Sequence, residues 1–321
     1  MMDWTDRHCR VFHRLLSSRA LLYTEMITAR AILHGDRQKL LDYSAQEHPI
    51  ALQLGGSDVD ELAQAARIGA AWGYDEINLN VGCPSPRVQH GQFGAALMAT
   101  PELVRDCLSA MRQAVDIPVT VKCRIGIDDQ DEQTALDDFV GTVAEGGCRR
   151  FIVHARKAWL EGLSPKENRE VPPLNWNRVY RLKQDFPDLE IILNGGVLSV
   201  EASESHLDHV DGVMLGRAAY QNPYLLTAVD SVFFDSPDPP ASRDDILKRF
   251  IAYAETRCAK GVRLHQMTRH ILGLYQGEPG ARAFRRHLSI KAVKPGAGVE
   301  VLHGALALME ETREAHATLV A

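Results

Sequence analysis

The run EINLNVGCPSP at 76–86 alternates Ile77, Leu79 and Val81 and then stops at Gly82-Cys83-Pro84. That pattern predicts a strand and a following loop, with a thiol just past the strand's carboxyl end. Barrel enzymes carry their chemistry at that place. Pro84 and Pro86 fix φ and stiffen the loop, so the sulfur is presented rather than left to wander. A single cysteine is as often a small buried apolar side chain, so the weight of Cys83 comes from its company. Other strand-like runs end in Gln53-Leu54-Gly55-Gly56, Lys122-Cys123-Arg124, His154-Ala155-Arg156, Asn194-Gly195-Gly196 and Gly216-Arg217. In a barrel these exits converge on one mouth, which gathers amide, thiol, ammonium, imidazole and guanidinium groups around one cavity.

The last two exits suit a phosphate. Glycines at 195, 196 and 216 let backbone N–H groups approach an anion, and Arg217 pairs with it. Lys122 has two readings: a lysine stem reaching from a strand end to solvent, or an ammonium that stabilises a ring gathering negative charge. His154 is either a satisfied structural histidine or a contact to cofactor or substrate. The acid-rich run 128–138 reads as a solvated helix start without function. Gly296-Ala297-Gly298 lacks a flanking strand, so the sequence offers no Rossmann fingerprint.

Strand-like runs at 20–26, 50–55, 76–82, 119–125, 150–155, 190–195 and 212–216 position these residues. Their nearly continuous apolar character fits strands covered on both faces. Amphipathic segments at 59–72, 101–115 and 134–146 lie between them, with Ser57 and Thr100 as N-caps and Pro101 at the first helical position. The alternation predicts an α/β fold, a (β/α)8 TIM barrel, in which the seven runs leave one strand to find. Met1 reads as the tail of a first strand whose body is absent, so truncation at the N-terminus is expected. A helix is expected over 8–18. After the proline-rich hinge at 234–242 the pattern is helical only, over 243–260, 263–276, 280–290 and 299–317. The expected division is therefore a barrel domain at 1–235 and an all-helical domain at 236–321.

No apolar run approaches the roughly 20 residues that span a bilayer, and no signal-peptide pattern opens the chain. The six cysteines (9, 83, 107, 123, 148 and 258) form no Cys-x-x-Cys pair, which argues against a zinc site and for reduced thiols in the cytosol. The net charge of −6 conceals an asymmetry: residues 241–300 carry 12 Lys/Arg against 5 Asp/Glu. Such a block reads as a surface for a polyanion or as a solvated helical face.

With these residues assembled, the chain resembles the tRNA-dihydrouridine synthases, most closely their A subfamily. The resemblance rests on MMDWTDRHCR, LLYTEM, ALQLGG, YDEINLNVGCPSPRVQ, PVTVKCRIGIDD, FIVHARKAWLEGLSPKENREVPPL, NGGV, DGVMLGRAAYQNP and TRHILGLYQGEPGARAFRRHLS, in that order. It implies a cytoplasmic flavoprotein that binds FMN in its barrel and tRNA through its helical domain, and a monomer is expected. It also implies NADPH as reductant and uridines at positions 20 and 20a of the D-loop as targets. Met1, Met2 and Asp3 would border the flavin, with Gln53, Lys122 and His154 along its ring. Asn194, Gly195, Gly196, Gly216 and Arg217 would hold its phosphate. Asn80, Glu167, Arg169, Arg282 and Arg285 match positions associated with tRNA contact. The family's Ala-Pro and preceding strand do not precede Met1, and Cys123 stands where threonine is expected.

The resemblance further implies hydride delivery to C6 of uracil and a proton to C5 from Cys83 as general acid. Thiols titrate near about 8.5 in model peptides, which suits a proton donor at neutral pH. The loop 155–175, with Lys157, Lys166 and Arg169, is expected to overhang the mouth and hold the RNA strand from which the base is extruded. Two other readings stay open: an FMN barrel of the dihydroorotate-dehydrogenase type acting on a free pyrimidine, and a tRNA-binding or folding protein with a vestigial site.

Overall fold

The computed structural model describes residues 1–85, 91, 93–237 and 239–320, with the side chains of Leu319 and Val320 left aside. Pro86, expected to stiffen the Cys83 loop, and Asp238 in the hinge lie outside the described residues. Contacts divide the chain into two compact units. One is Met1–Met2 with Leu21–Gly216, and the other is Asp3–Ala20 with Arg217–Ala321. The expected boundary near residue 236 lies inside the second unit.

The first unit is a parallel β/α sheet. Its strands are β1 Leu22–Tyr23, β2 Ile27–Thr28, β3 Ile50–Gly55, β4 Glu76–Asn80, β5 Val119–Arg124, β6 Arg150–His154, β7 Glu190–Asn194 and β8 Gly212–Met214. The order is β1-β3-β4-β5-β6-β7-β8, with β2 also paired to β3, and every ladder is parallel. This is the strand succession of the expected barrel. Among the described residues no ladder joins β8 to β1 or β2.

The run 20–26, expected as one strand, is broken in two. Leu22 pairs Ile50 whereas Ile27 pairs Leu54, a slip of one residue. Thr24 occupies the break: its hydroxyl accepts the Gln53 N–H at 3.0 Å, where a backbone carbonyl would otherwise serve.

The strands are covered on both faces, as expected, but only one of those faces is apolar. Leu52, Leu54, Ile77, Leu79, Val121, Cys123, Phe151, Val153, Ile191 and Leu193 form the core with the surrounding helices. The alternate positions, including Gln53, Glu76, Asn78, Thr120 and Arg124, are buried polar residues on the other face. Cys123 thus lies on the helix-covered face, where a small apolar group fits.

Helices Val59–Trp72, Pro101–Ala114 and Thr134–Glu145 follow β3, β4 and β5. Asp58 rather than Ser57 caps the first, because its carboxylate accepts the Glu61 N–H at 2.9 Å. Thr100 is the N-cap residue of the second and Pro101 opens it, but the Thr100 side chain makes no capping hydrogen bond.

The second unit contains helices Arg7–Leu16, Arg217–Gln221, Val229–Phe233, Arg243–Ala259, Leu264–Thr268, Ala281–Lys291 and Glu300–Val320. Phe12 meets Phe250 edge-on at 5.6 Å, and Tyr275 meets Phe284 at 4.7 Å. Asp6 caps Arg7–Leu16 through the N–H groups of His8 and Cys9, and also accepts from Arg269 at 2.6 Å and His270 at 3.0 Å. Burial opposes its charge, but these partners hold its carboxyl well below the usual range. The helix expected over 263–276 stops at Thr268. Beyond it the backbone tightens into i→i+3 bonds, and Gly273 passes so near Gln221 that a Cβ would lie 2.4 Å from its carbonyl oxygen.

Candidate active site

Cys83 follows β4 on a loop fastened from several sides. Asn80 Oδ1 accepts the N–H groups of Gly82 (3.1 Å) and Cys83 (3.0 Å). The Cys83 carbonyl accepts from Ala95 N–H at 2.9 Å, and Arg124 Nε donates to the Gly82 carbonyl at 3.1 Å. Cys83 is half-buried, whereas Cys9, Cys107, Cys123 and Cys148 are buried. Burial pushes the last three thiols up to about 12, which leaves them inert. Among the described residues of the first unit, Cys83 alone offers a thiol with access to solvent.

Lys122 stands beside Asn80 in the β4–β5 ladder and beside Ile152 in the next. Burial, with repulsion from Arg124, pushes its ammonium down to about 8 despite attraction from Cys83. Among the described residues, no carboxylate pairs with it. A half-buried cation without a counter-ion at a strand end is electrostatically suited to an anionic ligand.

Arg124, to which the strand-end pattern assigns no role, is buried two residues further on the same face. Burial pulls its guanidinium down to about 10. Its donors go to carbonyls: Gly82 on the thiol loop and Asn168 (3.0 Å) on the loop after β6. One side chain therefore fastens both loops.

The loop 155–175 is built around Asn168, which is fully buried and bonds Trp159 N–H at 2.7 Å and Trp159 O at 2.9 Å. The acid-rich run 128–138 is not merely solvated, as expected, but anchors this loop. Asp128 accepts Leu160 N–H at 2.8 Å, Glu132 accepts from Asn175 at 2.9 Å, and Asp137 pairs with the fully buried Arg178. Lys157, expected to hold RNA, donates to the Gln130 carbonyl at 2.6 Å. Lys166, Glu167 and Arg169 are exposed. Glu167 also accepts the Ser164 N–H at 2.8 Å, closing its own turn.

Gly195 and Gly196 carry φ of +105° and +78°, which L side chains rarely adopt. A Cβ on Gly195 would lie 3.0 Å from His154 Nε2, and one on Gly196 would lie 2.4 Å from Leu174. The turn is thus kept bare beside His154. Asn194 Nδ2 donates to the Met214 carbonyl at 2.8 Å and ties the ends of β7 and β8 together. A Cβ on Gly216 would meet only Met1 Sδ, at 3.9 Å, so that exit is open and bordered by Met1. Bare glycine turns together with an unpaired ammonium fit a phosphorylated cofactor with a charge-gathering ring. Gln53 and Asn80, both expected near ligands, bond each other at 2.8 Å.

Asp3 and Arg217 belong to the second unit, where Arg217 opens helix Arg217–Gln221. Helix Ala281–Lys291 buries Ala281, Phe284 and Leu288 and exposes Arg282 and Arg285. Arg286 is exposed beside them, and the helical period of RAFRR could have flagged it. Among the described residues, no cluster of three or more His, Cys, Asp or Glu could hold a metal, and no helix is long and apolar enough to cross a membrane.

The family model described as dihydrouridine synthase (Dus) matches residues 1–307. The chain is 59% identical over 308 residues to a tRNA-dihydrouridine(20/20a) synthase of Vibrio parahaemolyticus, covering 96% of this chain and 94% of the relative. It is 58% identical over 305 residues to the Xanthomonas campestris protein of that name, covering 95% and 90%. The Escherichia coli K12 protein of that name is 58% identical over 314 residues, covering 98% and 91%.

Proposed function

The chain belongs to the dihydrouridine synthase family, and we propose that it reduces the C5=C6 bond of uridines at positions 20 and 20a in the tRNA D-loop. The observation that carries the reading is Cys83, a half-buried thiol on a fastened strand-end loop, within electrostatic reach of the unpaired Lys122. When bound, FMN, kept reduced by NADPH, supplies the hydride that goes to C6.

The chain's own residues do the rest. Cys83 delivers a proton to C5 from the opposite face of the base, and Asn80 and Arg124 hold the loop that aims it. Lys122 places positive charge where the cofactor ring becomes electron-rich. Gln53 and His154 line that ring, with Met1, Met2 and Asp3 at its border. The turn Asn194-Gly195-Gly196, with Gly216 and Arg217, binds the phosphate. Asn80, Glu167, Arg169, Arg282 and Arg285 contact tRNA, joined by Arg286. The residues before 236 form the catalytic domain and those after it grip the polyanion, which accounts for the basic block at 241–300. The protein acts as a cytoplasmic monomer.

The test is to incubate an unmodified tRNA transcript with FMN, NADPH and the protein, and to map dihydrouridine by position, with free uridine as control. Dihydrouridine at 20 and 20a in tRNA alone supports the reading. Reduction of the free pyrimidine indicates a dehydrogenase of small substrates, and no reduction of either overturns the proposal.

A further inference from the structure

A line of polar side chains, half-buried at Asn80 and buried beyond it, runs from the Cys83 loop along the inner face of the sheet. Cys83 and Gly82 donate their N–H groups to Asn80 Oδ1. Asn80 Nδ2 donates to Gln53 Oε1 at 2.8 Å, and Gln53 Nε2 donates to Asn78 Oδ1 at 2.9 Å. Asn78 Nδ2 donates to Thr120 Oγ1 at 2.8 Å, and Thr120 Oγ1 donates to Glu76 Oε1 at 2.7 Å. Glu76 is 2% exposed and is held in turn by Tyr23 OH and Arg150 Nη1, each at 2.7 Å. Every bond in the line points the same way.

The direction has a cause. An Asn or Gln amide is nearly symmetric in shape, so a ladder of amides can run either way. A carboxylate only accepts, so Thr120 must give it the single hydroxyl proton. Asn78 must then turn its NH2 to Thr120 and its oxygen to Gln53. Gln53 must turn its oxygen to Asn80, and Asn80 is left presenting Oδ1 to two backbone N–H groups, which only donate. Acceptor and donor ends agree through the whole line.

We propose that Glu76 is a positioning residue for Cys83: from the far end of this line, its carboxylate sets the amide orientations that let Asn80 hold the thiol loop. The inference takes Cys83 as the reactive group from the proposed function, but it concerns the loop itself.

The test is amide hydrogen exchange at Gly82 and Cys83 in the folded protein without substrate, with the β4 amide of Ile77 as reference. Ile77 donates to the Pro118 carbonyl at 2.9 Å, outside the line. Thr120→Val keeps the side-chain shape and removes the hydroxyl. Glu76→Gln makes a donor face either Thr120 or Arg150. Both should speed exchange at Gly82 and Cys83 roughly five- to tenfold relative to Ile77. Thr120→Ser, which keeps the hydroxyl, should restore wild-type protection. The proposal is overturned if exchange at Gly82 and Cys83 is unchanged in both variants, if Ile77 accelerates equally, or if Thr120→Ser behaves like Thr120→Val. Because no turnover is measured, failure here leaves the reductase reading intact, and a failed reductase assay leaves the exchange result readable.

Discussion

Replacing Lys122 by methionine should make the flavin-stripped protein more stable and the enzyme slower. The ammonium is held at about 8 against an ordinary 10.5, so the fold resists its charge. In an unfolded chain the lysine keeps its proton up to its ordinary pKa. Between pH 8 and 10.5 Lys122 therefore binds more protons in the unfolded state, and its own contribution to stability must rise with pH across that window. Below pH 8 the penalty is fully present. A separation of about 2.5 pH units at 1.36 kcal/mol each gives a ceiling of about 3 kcal/mol, and solvent at the half-buried ammonium brings it nearer 2. Methionine has similar length and no charge, so Lys122→Met should gain about 2 kcal/mol at pH 7. That corresponds to roughly 4–8 °C in the melting of a unit this size. The gain should shrink toward zero by pH 10.5. Urea unfolding followed by tryptophan fluorescence at steps from pH 7 to 10.5 reads this directly. Loss of the charge should also slow reduction about 10²–10³-fold. Equal stability at pH 7, or a difference that stays flat with pH, would refute the account of Lys122.

Three further outcomes are expected. Burial pushes His8 and His13 down to about 4. Because the unfolded histidines protonate near 6.5, the second unit should lose stability as pH falls from 6.5 to 4, by up to about 3 kcal/mol per histidine. His13→Met should flatten that fall in thermal melts against pH. Arg178→Met strands the Glu132 and Gln133 carbonyls, now bonded at 2.7 and 2.9 Å, and the Asp137 carboxylate. It should cost about 2–4 kcal/mol by urea titration. Arg282→Ala with Arg285→Ala should weaken tRNA binding across sequences and reduce the salt slope by roughly 1.5–2, measured by binding titrations at several salt concentrations.

The strand ends were legible because each apolar alternation stops at a polar or glycine-rich exit. The run 50–55 has the same bounds in sequence and structure, and Asn80, Lys122, His154 and Asn194 each lie at a strand's last residues. What stayed hidden depends on partners far along the chain. The Thr24 hydroxyl accepts the N–H of Gln53, 29 residues away, in place of a backbone carbonyl. Arg124 matters through Asn168, 44 residues on, and Arg178 turns an apparently solvated acid run into an anchor. Helix Arg7–Leu16 buries His8, Arg10, His13 and Arg14, so its polar letters gave no hint that it packs with residues beyond 216. The inward polar line from Cys83 to Glu76 was likewise masked, because its members alternate with the apolar residues that made the strands recognisable.

The central claim is that Cys83 gives the proton to C5. The most direct measurement is the single-turnover oxidation of prereduced enzyme by unmodified tRNA, wild type against Cys83→Ala, with tRNA affinity measured in parallel. The account predicts a loss of about 10²–10⁴-fold in the variant at unchanged affinity. Reduction of tRNA by Cys83→Ala at the wild-type rate would contradict it.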